Sequence, residues 1–226
     1  MVYRIFCDLL TFPDPRLAED DGLLAIGGDL KPERLVAAYR RGIYPWYTEG
    51  YPILWWCPDP RFVLFPDRIH VPRSLRKLVR QGRFTVTLNR DLRAVIKACA
   101  KVPRRDQEGT WITTAMLEAY LELHRAGHVV SVEAWQGAEL AGGLYGVVIG
   151  RCFFGESMFA WEPNASKVAF VKFTELLRER GCPIIDCQMK TGHLERFGGE
   201  FIAIERFLGI IEKGCEEPPI EWPEVL

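Results

Sequence analysis

The stretch from Phe153 to Gln188 leaves the chain few ways to fold. It reads FFGESMF, then a long segment with apolar residues at helical spacing, then PIIDCQM. Strand side chains alternate between faces, so Phe154, Glu156 and Met158 are expected on one face and Phe153, Gly155, Ser157 and Phe159 on the other. The same alternation groups Asp186 and Gln188 with Ile184, and sets Ile185, Cys187 and Met189 opposite them. Between the two runs, Asn164 is expected to cap a helix through Val168, Val171, Phe173, Leu176 and Leu177 that stops at Gly181. Strand, crossover helix and strand of this length make a right-handed parallel unit, with ligands at the carboxyl ends of its strands. Glu156, Asp186 and Gln188 are therefore predicted to stand near one another.

The chain on either side fills out the architecture. Residues 1–62 are rich in Gly, Pro and aromatics, with one helix expected from Pro32 to Arg41, and read as a small N-terminal domain. Residues 63–226 read as the main domain. FTVTLN predicts a strand, RDLRAVIKACA and ITTAMLEAYLELHRAG two amphipathic helices, and HVVSVEAW, ELAGGLYGVVIG and CFFGESMF an antiparallel meander. After PIIDCQM come a short helix near His193 to Phe197, the strand EFIAIE and a helix from Arg206 to Lys213. The acidic, Pro-rich tail is expected either extended against the body or frayed. This order, an α/β (α+β) mixed sheet with two helices after its first strand, is that of the GNAT-like acyltransferase fold. Fold alone does not assign a reaction.

Charge is informative only where it is uneven. The net formal charge of -1 argues against a generally basic nucleic-acid coat. From Arg68 to Arg90, however, there is no Asp or Glu, and Arg73, Arg76, Lys77 and Arg80 fall at i, i+3, i+4 and i+7, on one helical face. Like charges so placed repel, and an anionic partner relieves the repulsion; a solvated basic face is the plainer alternative. The seven cysteines form no CxxC pair, which fits free thiols in a reducing cytoplasm. No apolar run reaches membrane-spanning length.

Asp186 lies in an otherwise apolar strand, where an ionised carboxylate is costly unless paired. It reads either as a structural carboxylate held by a loop or by a cation such as Lys190, or as part of a proton-handling pair with Gln188. Glu156 beside it has two open roles: one of two mutually repelling carboxylates, or a seat for a substrate ammonium. Trp111, Phe153, Phe173, Leu144, Leu177 and Ile185 can wall an apolar pocket, although pattern alone fits ordinary core equally well. Trp46 is a candidate stacking platform for a base, with domain packing as the alternative. The four histidines have no metal-ligand spacing; His124 and His128 lack the Glu of an HExxH motif, so no metal is expected. Cys187 beside Asp186 is disfavoured as a nucleophile, and Ser157 has no evident histidine base.

With these residues in view, the chain closely resembles the leucyl/phenylalanyl-tRNA-protein transferase family. The likeness covers nearly all of residues 12–212, through GLLAIGGDL, RGIYPW, PILWWCPDPR, RSLRK, EGTWIT, GESMF, NASK and IDCQ. It implies a small N-terminal domain on a GNAT-like one, and transfer of Leu, Phe or less readily Met from aminoacyl-tRNA to the N-terminal Arg or Lys of a protein, marking it for N-end-rule degradation. No cofactor is implied. By position, the resemblance makes Asp186 and Gln188 the pair that activates the incoming amine, and Glu156 the acidic residue of the substrate site. It makes Trp46 the platform for the terminal adenosine, and Trp111, Phe153, Phe173 and Ile185 the pocket for the transferred side chain. The basic helix becomes the tRNA-binding face. Leu144 and Leu177 stand where some relatives carry Met and Phe, and the loop 101–107 is longer than in some. An acetyl-CoA N-acetyltransferase is the rival that the fold allows, but AWEPNASK lacks the glycines that hold a pyrophosphate at a helix start. A non-catalytic tRNA-binding module is the third reading.

Overall fold

The computed structural model describes residues 2–5, 10–102 and 110–226. Most of the loop 101–107, the Glu-Gly that precedes Thr110, and Cys7 lie outside the described residues. Two sheets organise the chain. The first part comprises β1 (Tyr3–Ile5), β2 (Leu23–Gly27), α1 (Pro32–Tyr39), β3 (Tyr44–Pro45) and β4 (Leu54–Trp56), and its strands form a sheet ordered β1-β2-β4-β3. Beyond it lie β5 (Arg61–Leu64), α2 (Arg73–Arg80), β6 (Thr85–Leu88), α3 (Leu92–Lys101) and α4 (Thr114–Arg125). Then follow β7 (Val129–Gln136), β8 (Glu139–Ile149), β9 (Cys152–Ala160), α5 (Ala165–Glu179) and β10 (Ile185–Gln188). The last elements are α6 (Gly192–Arg196), β11 (Glu200–Ile202) and α7 (Ile204–Gly214). These strands form a mixed sheet ordered β11-β5-β10-β9-β8-β7-β6.

The crossover is as expected: β9 and β10 pair in parallel, with α5 between them in sequence. Asp91 and Thr113 cap α3 and α4 by accepting from the backbone N–H groups of Ala94 and Met116. Asn164 holds the cap position of α5 but does not cap it. Its backbone is left-handed (φ 69°), and its side-chain oxygen accepts from Lys167 Nζ at 3.0 Å instead. The C-terminal tail lies extended along β6, with Leu88 N–H donating to Glu224 O and Leu226 N–H to Val86 O. No described helix is long and apolar enough to cross a membrane.

Strict alternation fails at both strands that matter most. On β9, Tyr145 of β8 faces Ser157 while Gly146 faces Gly155, so Glu156 is the extra residue of a β-bulge. The bulge inverts side-chain parity beyond it. Phe153 and Met158, expected on opposite faces, pack into the same core beneath α5, whereas Phe154 and Phe159 share the core on the other face. On β10 a second irregularity falls between Asp186 and Gln188, which pair with Val63 and Phe62. Gln188 is left-handed there (φ 60°), so it does not simply share the Asp186 face.

Gly146 is what lets β8 pass so close. A Cβ there would run into Phe154 O and lie 2.5 Å from the Phe153 ring. Gly146→Ala is expected to destabilise the fold by ~1–3 kcal/mol in urea unfolding, as overpacking does, with the Phe153 ring displaced.

Candidate active site

The site lies where two strands of the large sheet part. β10 pairs with β9 only at Ile185 and Asp186, against Phe153 and Phe154, so β9 runs on from Gly155 to Ala160 without β10 beside it. A cavity of about 500 Å³ opens in that gap. Splaying strands exposes main-chain polar groups on an edge as well as both faces of the sheet to one space.

The β9 bulge aims Glu156 into the gap, where it meets three donors. Tyr39 Oη of α1 donates to Oε1 at 2.6 Å, Tyr120 Oη of α4 to Oε2 at 2.9 Å, and Gln188 Nε2 to Oε1 at 3.1 Å. The two phenol oxygens also lie within hydrogen-bond distance of each other, and since each carries one proton, they bond each other only when one of them turns its proton away from Glu156. Burial pushes the Glu156 carboxyl up to about 7, and the three hydrogen bonds hold it from rising further. Tyr39 and Tyr120 are raised well above the ordinary phenol range by burial and by the Glu156 charge, so they stay protonated donors.

Asp186 is held differently. It is fully buried and paired two-pronged with Arg61 of β5, whose Nε is 2.8 Å from Oδ1 and Nη2 2.7 Å from Oδ2. Its cation is therefore Arg61, not Lys190, which lies 2.6 Å from Glu195. Arg61 lies between the rings of Tyr44 and Phe207, each 4.8 Å away, and its Nη2 also donates to Gly42 O. Burial works against the guanidinium charge, but the adjacent Asp186 carboxylate raises the Arg61 pKa overall. Asp186 Oδ1 accepts one further bond, from the backbone N–H of Gln188 at 2.9 Å. The carboxylate thus reaches the Gln188 main chain, while the Gln188 amide group is bonded to Glu156. Cys187, between them, has its thiol raised by burial and by the Asp186 charge, against a nucleophilic role.

Of the apolar candidates, Trp111, Leu144, Phe153 and Ile185 line the cavity, as does Trp46 from the end of β3. Phe173 and Leu177 do not. Both are fully buried on α5; the Phe173 ring packs behind Phe153 at 4.9 Å, with Trp222 on its other side at 5.7 Å. The cavity wall is instead supplied by Phe170, one turn earlier on α5. Trp46 is partly exposed and edge-on to Trp56, whose indole N–H donates to Trp46 O. Arg73, Arg76, Lys77 and Arg80 all lie exposed on α2, which packs through Leu75 and Leu78. The Nδ1 atoms of His124 and His128 are bonded to the carbonyls of Val129 and Val148, and no group of three or more metal-ligating residues is found among the described residues.

The comparisons fit this geometry. Residues 63–212 match the model of the leucyl/phenylalanyl-tRNA protein transferase, and residues 28–59 that of the same enzyme's N-terminal domain. The chain belongs to this family. It is 54% identical over 210 residues to the leucyl/phenylalanyl-tRNA–protein transferase of Anaeromyxobacter sp. strain K, which covers 93% of this chain and 90% of that one. It is 57% identical over 206 residues to that of Pseudomonas aeruginosa, 91% of each, and 56% over 207 residues to that of Myxococcus xanthus, 92% and 88%. Within the family frame, Tyr39, Tyr44 and Trp46 fall in the N-terminal match, and Glu156, Asp186 and Gln188 in the larger one. Arg61 lies in the short joint between the two matches.

Arg61, Tyr39, Tyr120 and Phe170 were missed by sequence reasoning. Arg61 carried a signal: it is the one charge in RFVLF, as Asp186 is in PIIDCQM, and two lone opposite charges in apolar strands call for each other. Tyr39 and Tyr120 carried none, since a tyrosine on the apolar face of an amphipathic helix reads as core.

Proposed function

We propose that this protein transfers a leucyl or phenylalanyl group from aminoacyl-tRNA to the N-terminal Arg or Lys of acceptor proteins, with Met used less readily, and so marks them for degradation. One observation carries the reading: Glu156 and Gln188 are bonded to each other on the wall of a cavity whose apolar side is formed by Trp111, Leu144, Phe153, Phe170 and Ile185. Polar groups that can hold an amine thus adjoin an apolar slot for a side chain. We take residues 1–62 as a domain of their own that completes the site with Tyr39, Tyr44 and Trp46, and the reducing cytoplasm as its place of work.

An aminoacyl ester is already activated, so the protein must deprotonate the acceptor ammonium, align it and stabilise the oxyanion. In this reading the acceptor amine is held at Glu156 and Gln188, and Glu156, poised near neutrality, takes its proton. The amine nitrogen then bonds to the ester carbonyl carbon, the bond from that carbon to the ribose oxygen breaks, and the second proton that the nitrogen loses in becoming an amide leaves on the ribose hydroxyl. Asp186 contributes by position: Arg61 occupies both its oxygens, and it fixes the Gln188 backbone. Trp46 offers its face to the terminal adenosine, and Arg73, Arg76, Lys77 and Arg80 their charges to the tRNA backbone. The slot rejects β-branched side chains by shape, while a missing methylene costs only ~1–3 kcal/mol.

The test is incubation with labelled Phe-tRNA or acetyl-CoA and peptides beginning with Arg or Ala. Product from Phe-tRNA with the Arg peptide alone is the expected result. Product from acetyl-CoA, or tight tRNA binding without turnover, overturns the reading.

A further inference from the structure

The reaction cavity continues past its apolar wall. Lys167 and His193 line it, and both also line a second groove, of about 420 Å³, between α2, the start of α5, and α6. Lys77 from α2, Lys167 from α5 and Arg196 from α6 bring three cations from three elements onto this groove, and no Asp or Glu lines it. Such an arrangement repels itself unless an anion is present. Two of the three are held by neutral oxygens: Lys167 Nζ donates to Asn164 Oδ1 at 3.0 Å, and Arg196 Nε to Gly192 O at 2.8 Å. These bonds orient the side chains without neutralising their charge.

His193 stands where the two spaces meet. Its Nε2 is buried and has no hydrogen-bond partner among the described residues, while its ring packs edge-on to Phe197 at 5.0 Å. A buried polar atom without a partner is costly, and the side chain that carries it lines the groove. Burial, with the charges of Lys167 and Arg196, lowers the His193 pKa to about 4, so the ring is neutral when the groove is empty.

We propose that this groove is a phosphodiester site, which takes the backbone of the single-stranded RNA 3′ end whose aminoacyl ester lies in the adjoining cavity. Lys167 and His193 meet the phosphate nearest the ester, and Arg196 and Lys77 receive those that follow. The inference rests on the transferase reading and adds to it a track that links the reaction cavity to the basic face of α2. Lys167, His193 and Arg196 thereby gain a role that the α2 charge pattern alone does not assign.

Two minimal donors isolate the groove: a phenylalanyl ester of adenosine, which has no phosphate, and the same ester on the trinucleotide CCA. The quantity read is the ratio of kcat/KM for the trinucleotide to that for the adenosine ester, in which any general loss of folding or chemistry cancels. The wild type is expected to favour the trinucleotide, and Arg196→Gln and Lys167→Gln each to lower the ratio about tenfold, as removal of a charged hydrogen bond does. The dependence of log kcat/KM on log salt for the trinucleotide should flatten by about 0.7 for each phosphate that a variant no longer neutralises. A wild-type ratio near one, or a ratio unchanged in both variants, overturns the inference while leaving the transferase intact. Failure of the wild type to use either ester defeats the transferase reading and this one with it.

Discussion

Arg61→Met is expected to destabilise the protein by ~3–5 kcal/mol, the usual cost of stranding one member of a buried ion pair. Asp186 is fully buried, and the bonds from Arg61 Nε and Nη2 are what compensate the loss of water around its carboxylate. Met matches the length of the stem that fills the space between Tyr44 and Phe207, so the change isolates the charge from the packing. Asp186→Asn should also destabilise, because the guanidinium is then the uncompensated ion. The double variant Arg61→Met/Asp186→Asn is expected to recover most of the stability, since replacing both members of a buried pair is often close to neutral.

Activity separates structure from positioning in this set. The Gln188 backbone is left-handed, and its N–H is tied to Asp186 Oδ1, so the Arg61–Asp186 pair dictates where the Gln188 amide points. The double variant should therefore regain its urea midpoint but not its kcat, with KM for the donor little changed. In Asp186→Asn the rate should fall on the plateau, and the limb should move to lower pH, because the Asp186 charge helps to raise the Glu156 carboxyl. Recovery of kcat along with stability would reduce the pair to a structural brace.

How much of this was legible in the sequence depended on what kind of physics carried it. The meander, the crossover helix and the pairing of β9 with β10 followed from apolar periodicity and from Gly and Pro punctuation, which are local. The basic face of α2 was equally plain, because i, i+3, i+4, i+7 spacing is enforced by helix geometry. The bulges at Glu156 and beside Gln188 were not, since an extra residue on one strand is defined only by what its partner does. That is why Met158 was expected on the wrong face. The same reason hid β5, a four-residue run that joins the large sheet between β11 and β10 although it lies far from both in sequence. With β5 unplaced, the partner of Asp186 was sought at Lys190. For Phe173 and Leu177 the helix was right and the depth was wrong: Phe170 reaches the cavity, and they stand behind the wall.

Glu156→Gln is expected to lower kcat/KM by ~10²–10⁴, the range for removing a positioned proton acceptor, and to abolish an ascending limb near pH 7 that the wild type should show. The limb follows from the Glu156 carboxyl titrating at about 7, where only the ionised form can take a proton from the acceptor ammonium. The acceptor's own α-amine titrates at about 7.7–8.0, so the assignment needs a variant that moves one group and not the other. Tyr39→Phe serves, because it removes a donor that favours the carboxylate: the limb should move to higher pH with the same acceptor peptide. A limb that stays fixed belongs to the peptide. Stability provides an independent reading of the same group. Between about pH 4.5 and 7 the native state retains a Glu156 proton that the unfolded chain has released, so this group's contribution to stability falls as pH rises across that window, by at most roughly 3 kcal/mol. His193, lowered to about 4, contributes with the opposite sign between about pH 4 and 6.5. Asp29, whose carboxyl is lowered by the Arg34 and Lys31 bonds despite its partial burial, also acts with the sign opposite to that of Glu156 and only in more acid solution. Glu156→Gln should therefore remove the falling contribution and leave the His193 rise, so that the urea midpoint of the variant gains on that of the wild type as pH rises from 4.5 to 7, with the acid limb left in place. An unchanged slope across that window would mean that Glu156 is ionised in the folded protein throughout, and the proton would have to leave by another route.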